Sequence, residues 1–268
     1  MRLAVLSDVH GNAVAFQAVI DDMKRMAPDT VVFLGDIVMR GPQPSECVEL
    51  LRSLEPLATV RGNYDHMFTR YPKSPDWKPE TFKENMQYRA FQYDRARLTA
   101  EQQHWIANWP MGQALSFGGI QTELYHASAS SFVQITYPWA TLEQLDSLHQ
   151  YEETKLVLTA HTHHAFVRQA MGRTVVNGGS VGIPFDRDNR ASYAVIDLSG
   201  NDIAVQLRRV SYDIDRAVSI AKELSMPDLD LFEYGLRHAL YPYYEGAVPG
   251  SSPSDSPGVP QPAMPTAP

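Results

Sequence analysis

An α/β fold, with sheet strands covered by helices, is predicted by three observations. Short continuous apolar runs alternate with amphipathic segments through the first 60 residues, at the spacing of strand, helix, strand. The second half carries several further short runs rich in β-branched residues. The hydrophobic fraction of 44% and charged fraction of 20% are those of an ordinary globular protein. Taken in order, residues 3–6 read as a buried strand and 12–26 as a helix with Val14, Ala18, Ile20 and Met23 among its apolar positions. Residues 30–34 form a second strand, Pro44 opens a helix through residue 54, and 58–60 make a third strand. From residue 70 the character changes. Pro72, Pro75 and Pro79 break the start, and 80–98 and 101–109 read as helices, so 70–111 is a helical insertion. Strands resume at 122–125, 156–159, 174–176, 192–198 and 203–209, the last two joined by a turn at Ser199, Gly200 and Asn201, which predicts antiparallel pairing in this half. Helices at 214–224 and 229–240 follow. Residues 1–245 are thus one domain, and 246–268, dominated by Pro, Ser, Gly and Ala, read as a flexible tail with no catalytic role.

The 31 acidic residues outnumber the 23 Lys and Arg, giving a net charge of −8, which argues against a long nucleic acid held on a basic surface. A small phosphorylated substrate stays compatible, because bound metals reverse the charge locally. The single cysteine, Cys47, excludes an intrachain disulfide and reads as a small buried apolar residue. The apolar run at residues 3–6 is too short for a secretory signal, and no stretch is long enough to span a bilayer, so the expectation is a cytoplasmic protein without a membrane partner.

Five short segments place metal-competent side chains directly after predicted strands: Asp8 with His10, Asp36, Asn63, His126, and His161 with His163. Ligands to a catalytic metal must come from separate rigid elements whose ends converge, and strand ends opening into loops supply that. In an extended segment, residues two apart point the same way, so each two-apart pair can offer two ligands to one place. Singly, each residue has a plainer explanation as a helix cap, turn residue or packed histidine. Five in succession at strand ends do not. The donors are hard oxygens and imidazoles without thiolate, a set suited to Mn, Fe, Zn or Co.

These residues, in this order, resemble the motifs of the calcineurin-like metallophosphoesterases over residues 1–212, and most of all the bacterial phosphodiesterase-type members, where a segment like 177–182 also recurs. The resemblance implies a two-sheet β-sandwich flanked by helices. It also implies two divalent transition metals, manganese first, with Asp8, His10 and His163 on one, Asn63, His126 and His161 on the other, and Asp36 between them. The chemistry implied is attack of a metal-bridging hydroxide on phosphorus.

Arg40 lies where relatives carry a phosphate-binding arginine, and a guanidinium fork suits that work. Arg61 braces the loop before Asn63. Tyr64 stands where the protein phosphatases of the family have histidine, which disfavours phosphoprotein monoester chemistry and leaves the proton donor unassigned, with His66 and His164 as alternatives. Asp65 is placed to orient a ligand histidine. The insertion follows directly and reads as a lid, whose Tyr71, Trp77, Phe82, Tyr88 and Phe91 fit core packing better than nucleobase stacking, and Phe185 and Arg187 are candidates to line the pocket. The function expected is hydrolysis of a small, nucleotide-like phosphodiester, a cyclic nucleotide included. The alternatives are a phosphomonoesterase or dinucleoside polyphosphate hydrolase, for which Arg40 speaks, and a noncatalytic scaffold, against which the complete ligand set speaks.

Overall fold

Strand β1 (Arg2–Leu6) buries both of its faces, and that dictates what surrounds it. Leu3 and Val5 join one apolar cluster while Ala4 and Leu6 join another, as the two-residue period of a strand requires. In the computed structural model, which describes residues 1–71 and 78–243, helices cover one face and a second sheet covers the other.

On the helical side, α1 (Ala13–Met26) starts at Asn12, whose side-chain oxygen accepts from the Ala15 amide at 3.1 Å. It lays Phe16, Val19, Ile20 and Met23 against Ala4, Leu6 and Phe33. Helix α2 (Pro44–Ser53) has proline in its first turn, where no intrahelical amide is needed, and buries Cys47, Val48 and Leu51 in the same cluster. Cys47 is a packed apolar residue, as expected.

Strands β2 (Thr30–Phe33) and β3 (Ala58–Thr59) lie parallel to β1, and β9 (Ala191–Ser199) and β10 (Asp202–Val210) extend the sheet antiparallel, in the order β10-β9-β1-β2-β3. The second sheet contains β4 (Gly112–Phe117), β5 (Ile120–Tyr125), β6 (Leu156–Thr159), β7 (Phe166–Ala170) and β8 (Arg173–Asn177), in the order β4-β5-β6-β8-β7. Leu124, Leu156, Leu158 and Val176 face Leu3, Val5, Val32 and Leu34 across the sandwich, while Val157 and Val175 face outward onto Leu145 and Leu148. The β9–β10 hairpin pairs antiparallel as predicted, β4–β5 and β7–β8 pair antiparallel through edge strands that were not predicted, and β5, β6 and β8 are parallel neighbours.

The insertion holds α3 (Phe82–Arg95) and α4 (Ala100–Ala107), each opened by a reciprocal cap, Thr81 with Glu84 and Thr99 with Gln102. Phe91 packs on Phe68 and Tyr71 at ring distances of 5.1 and 5.5 Å, so these aromatics are core. Trp77 and the tail at 246–268 lie outside the described residues. Helices α6 (Ile214–Glu223) and α7 (Leu229–His238) pack with Met86 and Tyr93 of α3 around Ile183 and Phe185. The remaining helix, α5 (Leu142–Asp146), caps the outer face of the second sheet. No described helix is long and apolar enough to cross a membrane.

Candidate metal centre

The parallel strands β1, β2 and β3 end beside the ends of β5, β6 and β8, and their loops carry the predicted ligands. The loops are locked backbone to backbone: the Asp8 amide donates to Gly35 O at 2.9 Å, the His10 amide to Asp36 O at 3.0 Å and the Ala160 amide to His126 O at 2.8 Å. Such proximity excludes side chains. A Cβ on Gly62 would lie 2.1 Å from Asp36 Oδ1, and one on Gly182 would lie 1.9 Å from Val9 O.

Asp8, His10, Asp36, His161 and His163 all have positive φ, between 49° and 69°, a conformation non-glycine residues adopt rarely and at a cost. This corrects the extended geometry expected for the two-apart pairs. Asp8 and His10 do converge, but through left-handed turns that redirect each side chain after the strand has ended.

The donor atoms form a buried cluster in which acceptors meet acceptors. His10 Nδ1 lies 3.2 Å from Met39 O, His163 Nδ1 2.5 Å from Ile183 O and His126 Nδ1 2.8 Å from Leu34 O. A carbonyl can only accept, so each Nδ1 carries a hydrogen, which leaves Nε2 as the ring atom free to hold a metal. His10 Nε2 and His163 Nε2 nevertheless face each other at 3.2 Å, and Asp8 Oδ1, 3.3 Å from His163 Nε2, is buried without a hydrogen-bond donor. His126 Nε2 lies 3.0 Å from Asn63 Oδ1 and 3.4 Å from Asp36 Oδ2, which is also 3.7 Å from His10 Nε2. Asp8, His10 and His163 bring one donor atom each within 4.8 Å of one another, and so do Asp8, Asp36 and His126. Lone pairs and carboxylates converging without donors repel unless a cation lies among them, and the oxygen and imidazole set fits a divalent transition metal. His161 joins the second group through its ring, 5.2 Å from that of His126.

The electrostatics agree. Burial pushes His10 and His161 down to about 3, so both are neutral ligands. Burial pulls His126 down as well, but Asp36 and Asp8 outweigh it and raise this ring to about 9, so a proton competes with metal there. Asp8 and Asp36 stay below the usual carboxylate range, because the histidines overcome the burial penalty.

The other predicted residues separate. Asp65 orients no ring nitrogen. Its carboxylate accepts from the amides of Asp36 at 2.6 Å, Gly62 at 2.9 Å and Ile37 at 3.1 Å, tying the Asp36 and Asn63 loops together. Burial and then Asp36 push it up to about 7. Arg61 bonds Ala107 O at 2.7 Å and braces its loop. His66 stacks on Phe132, rings 4.6 Å apart, outside the cavity lining. His164 lines the cavity but turns Nδ1 to Thr162 O at 2.6 Å.

Arg40 is buried, donates to the Tyr64 hydroxyl and lies 3.8 Å from the Tyr243 ring centroid and 4.5 Å from that of Tyr64. Among the described residues it has no carboxylate partner, and it lines a cavity of about 480 Å³ shared with Asp36, Asn63, His161 and His163. Phe185 and Arg187 line it as predicted, and Phe185 stacks on His163 at 4.4 Å. Among the described residues of the insertion, Lys83 and Gln87 reach it. The opposite wall, Val133, Ile135, Tyr137 and Trp139, was not among the predicted lining residues, although the alternation of large apolar side chains in this stretch is a readable signal.

Comparison with known proteins gives a consistent result. Residues 1–201 match the model of the calcineurin-like phosphoesterase superfamily domain. An uncharacterised protein of Methanocaldococcus jannaschii is 27% identical over 249 residues, covering 84% of this chain and 94% of its own. The structure of a metallophosphoesterase from Sphaerobacter thermophilus is 28% identical with a TM-score of 0.68, covering 89% of this chain and 99% of that one. A hypothetical protein from Pyrococcus horikoshii, 20% identical with a TM-score of 0.76 over 89% of this chain and 98% of its own, shares the fold.

Proposed function

The chain belongs to the calcineurin-like phosphoesterase superfamily, and from that premise we propose that it is a two-metal phosphodiesterase acting on a small, nucleotide-like ester. The observation that carries the reading is the donor-free cluster of His10 Nε2, His163 Nε2 and Asp8 Oδ1, beside Asp36, which stands between the His10 and His126 nitrogens. Asp8, His10 and His163 would hold one ion and Asn63, His126 and His161 the other, with Asp36 shared. Divalent ions held there would supply Lewis-acid activation of water and of the phosphoryl group.

The chain's own residues do the rest. Arg40, which no carboxylate pairs among the described residues, offers its fork to a phosphoryl oxygen, and Tyr64 fixes its orientation. Asp65 keeps the Asp36 loop in register, and the Nδ1 bonds to Val38, Met39, Leu34 and Ile183 carbonyls hold the ring planes. Arg40 also favours a second reading, a phosphomonoesterase or polyphosphate hydrolase, since extra negative charge would gain from it.

Purified protein loaded with manganese is expected to bind close to two ions per chain and to hydrolyse a bis-aryl phosphate diester faster than the matching monoester. Asp36→Asn should lose most of this activity while melting as a folded protein. Folded, metal-free protein that gains no activity on adding manganese would overturn the catalytic reading, and a monoester preference would select the second one.

A further inference from the structure

The cavity is larger than a phosphate needs. Its volume of about 480 Å³ falls in the range that encloses a drug-sized molecule, and its far wall is apolar. On that wall Val133 and Ile135 are each 59% exposed and Trp139 is 54% exposed, a concentration of bare apolar surface that a soluble protein ordinarily keeps for a ligand.

The wall is built rather than loose. Tyr137 and Trp139 stack on each other, centroids 4.9 Å apart and planes 13° from parallel. The His164 ring stands nearly perpendicular to both, its centroid 5.1 and 5.9 Å from theirs. The backbone beneath is pinned: Thr162 Oγ1 donates to Thr136 O at 3.2 Å, Arg168 Nη1 to Ala140 O at 3.3 Å and to Pro138 O, and the Ala140 amide to Tyr137 O at 3.0 Å. His164 follows the candidate ligand His163 directly in sequence, so the loop that carries that ligand also braces the stacked pair.

We propose that Tyr137 and Trp139 form a stacking shelf for the flat ring of a nucleoside group esterified to the phosphate held at the metal centre. The proposal rests on the phosphodiesterase reading above. A planar base offers a π-face to the exposed side of Trp139, and the shelf is rigid before the ligand arrives, so little ordering is lost on binding. Stacking is tolerant of base identity, so the shelf selects nucleosides over alkyl groups without selecting one base.

Two esters with one leaving group test this: the p-nitrophenyl ester of thymidine 5′-monophosphate and ethyl p-nitrophenyl phosphate. The manganese-loaded enzyme is expected to favour the nucleoside ester in kcat/KM. Trp139→Ala should cut the ratio of the two about tenfold, the size of one base stacking on one ring, chiefly through KM, and Trp139→Phe should restore most of it. No preference in the native enzyme, or an unchanged ratio in Trp139→Ala, overturns the shelf. If neither ester is cleaved, the phosphodiesterase reading fails by itself, and fluorescence titration with adenosine 5′-monophosphate decides the shelf. Saturable quenching that disappears in Trp139→Leu supports it, and quenching that persists, or never occurs, overturns it.

Discussion

Asp65 sits next to Tyr64 in the loop that carries Asn63, yet its carboxylate faces the amides of Asp36, Ile37 and Gly62. Removing it would strand three buried N–H groups, each of which is costly without an acceptor. Asp65→Ala is therefore expected to lower stability by about 3 kcal/mol, read as a shift in the urea midpoint. Because the Asp36 amide loses its anchor, kcat should fall as well, with Asp65→Asn falling less on both measures since its amide oxygen still accepts. Equal stability in the native protein and Asp65→Ala would show that the loops are held otherwise. At this scale the candidate ligands that the structure brings together were legible in the sequence, because Asp, Asn and His recur after apolar runs. The direction in which Asp65 points was not, since a carboxylate beside a metal site can serve a ring or a backbone with the same residue spacing. Nor was the left-handed backbone of Asp8, His10, Asp36, His161 and His163 legible, because the neighbouring loops that enforce it are remote in sequence.

Besides the cavity-lining Lys83 and Gln87, helix α3 braces the site through a buried acid. Asp94 Oδ2 accepts from the Met39 amide at 2.6 Å, next to Arg40, while Oδ1 has no hydrogen-bond partner among the described residues, and burial pushes this carboxyl up to about 8. In the unfolded chain it titrates near 4. The folded state therefore holds a proton that the unfolded state has released between about pH 4 and pH 8, and stability falls as pH rises through that window. Asp94→Asn keeps an oxygen for the Met39 amide and carries no charge. Its urea midpoint should exceed that of the native protein at pH 8 by more than it does at pH 5, and a pH-independent difference would count against the assignment. The helix itself was readable from its apolar spacing, as were α1, α2, α6 and α7. The edge strands β4 and β7 were not, since each leaves alternate residues to solvent and supplies too little apolar pattern to stand out. The wall at Val133 to Trp139 escaped for a related reason: its apolar side chains face a cavity instead of a core, and no regular element contains them.

Across the whole molecule, the end of the described chain returns to its beginning. The family match closes at residue 201, but α6, α7 and the residues after them fold back so that Tyr243 covers Arg40 from the loop after β2. The Tyr243 ring lies 3.8 Å from the guanidinium carbon, Tyr241 lies 5.8 Å away, and the buried Tyr243 hydroxyl has no hydrogen-bond partner among the described residues. The contact is thus the ring face and not the hydroxyl. A desolvated cation over an aromatic face is worth about 1–2 kcal/mol, which corresponds to about tenfold in binding. Tyr243→Ala is expected to raise KM for the phosphodiester by up to about tenfold with a smaller effect on kcat, because Arg40 loses one wall of its cage. Tyr243→Phe should leave KM unchanged and be no less stable, since an unsatisfied hydroxyl is removed while the ring stays. Coupling settles the cause: in an Arg40→Ala background, Tyr243→Ala should add little to the rise in KM. Additive effects of the two substitutions would mean that Tyr243 acts on the cavity by a route other than Arg40.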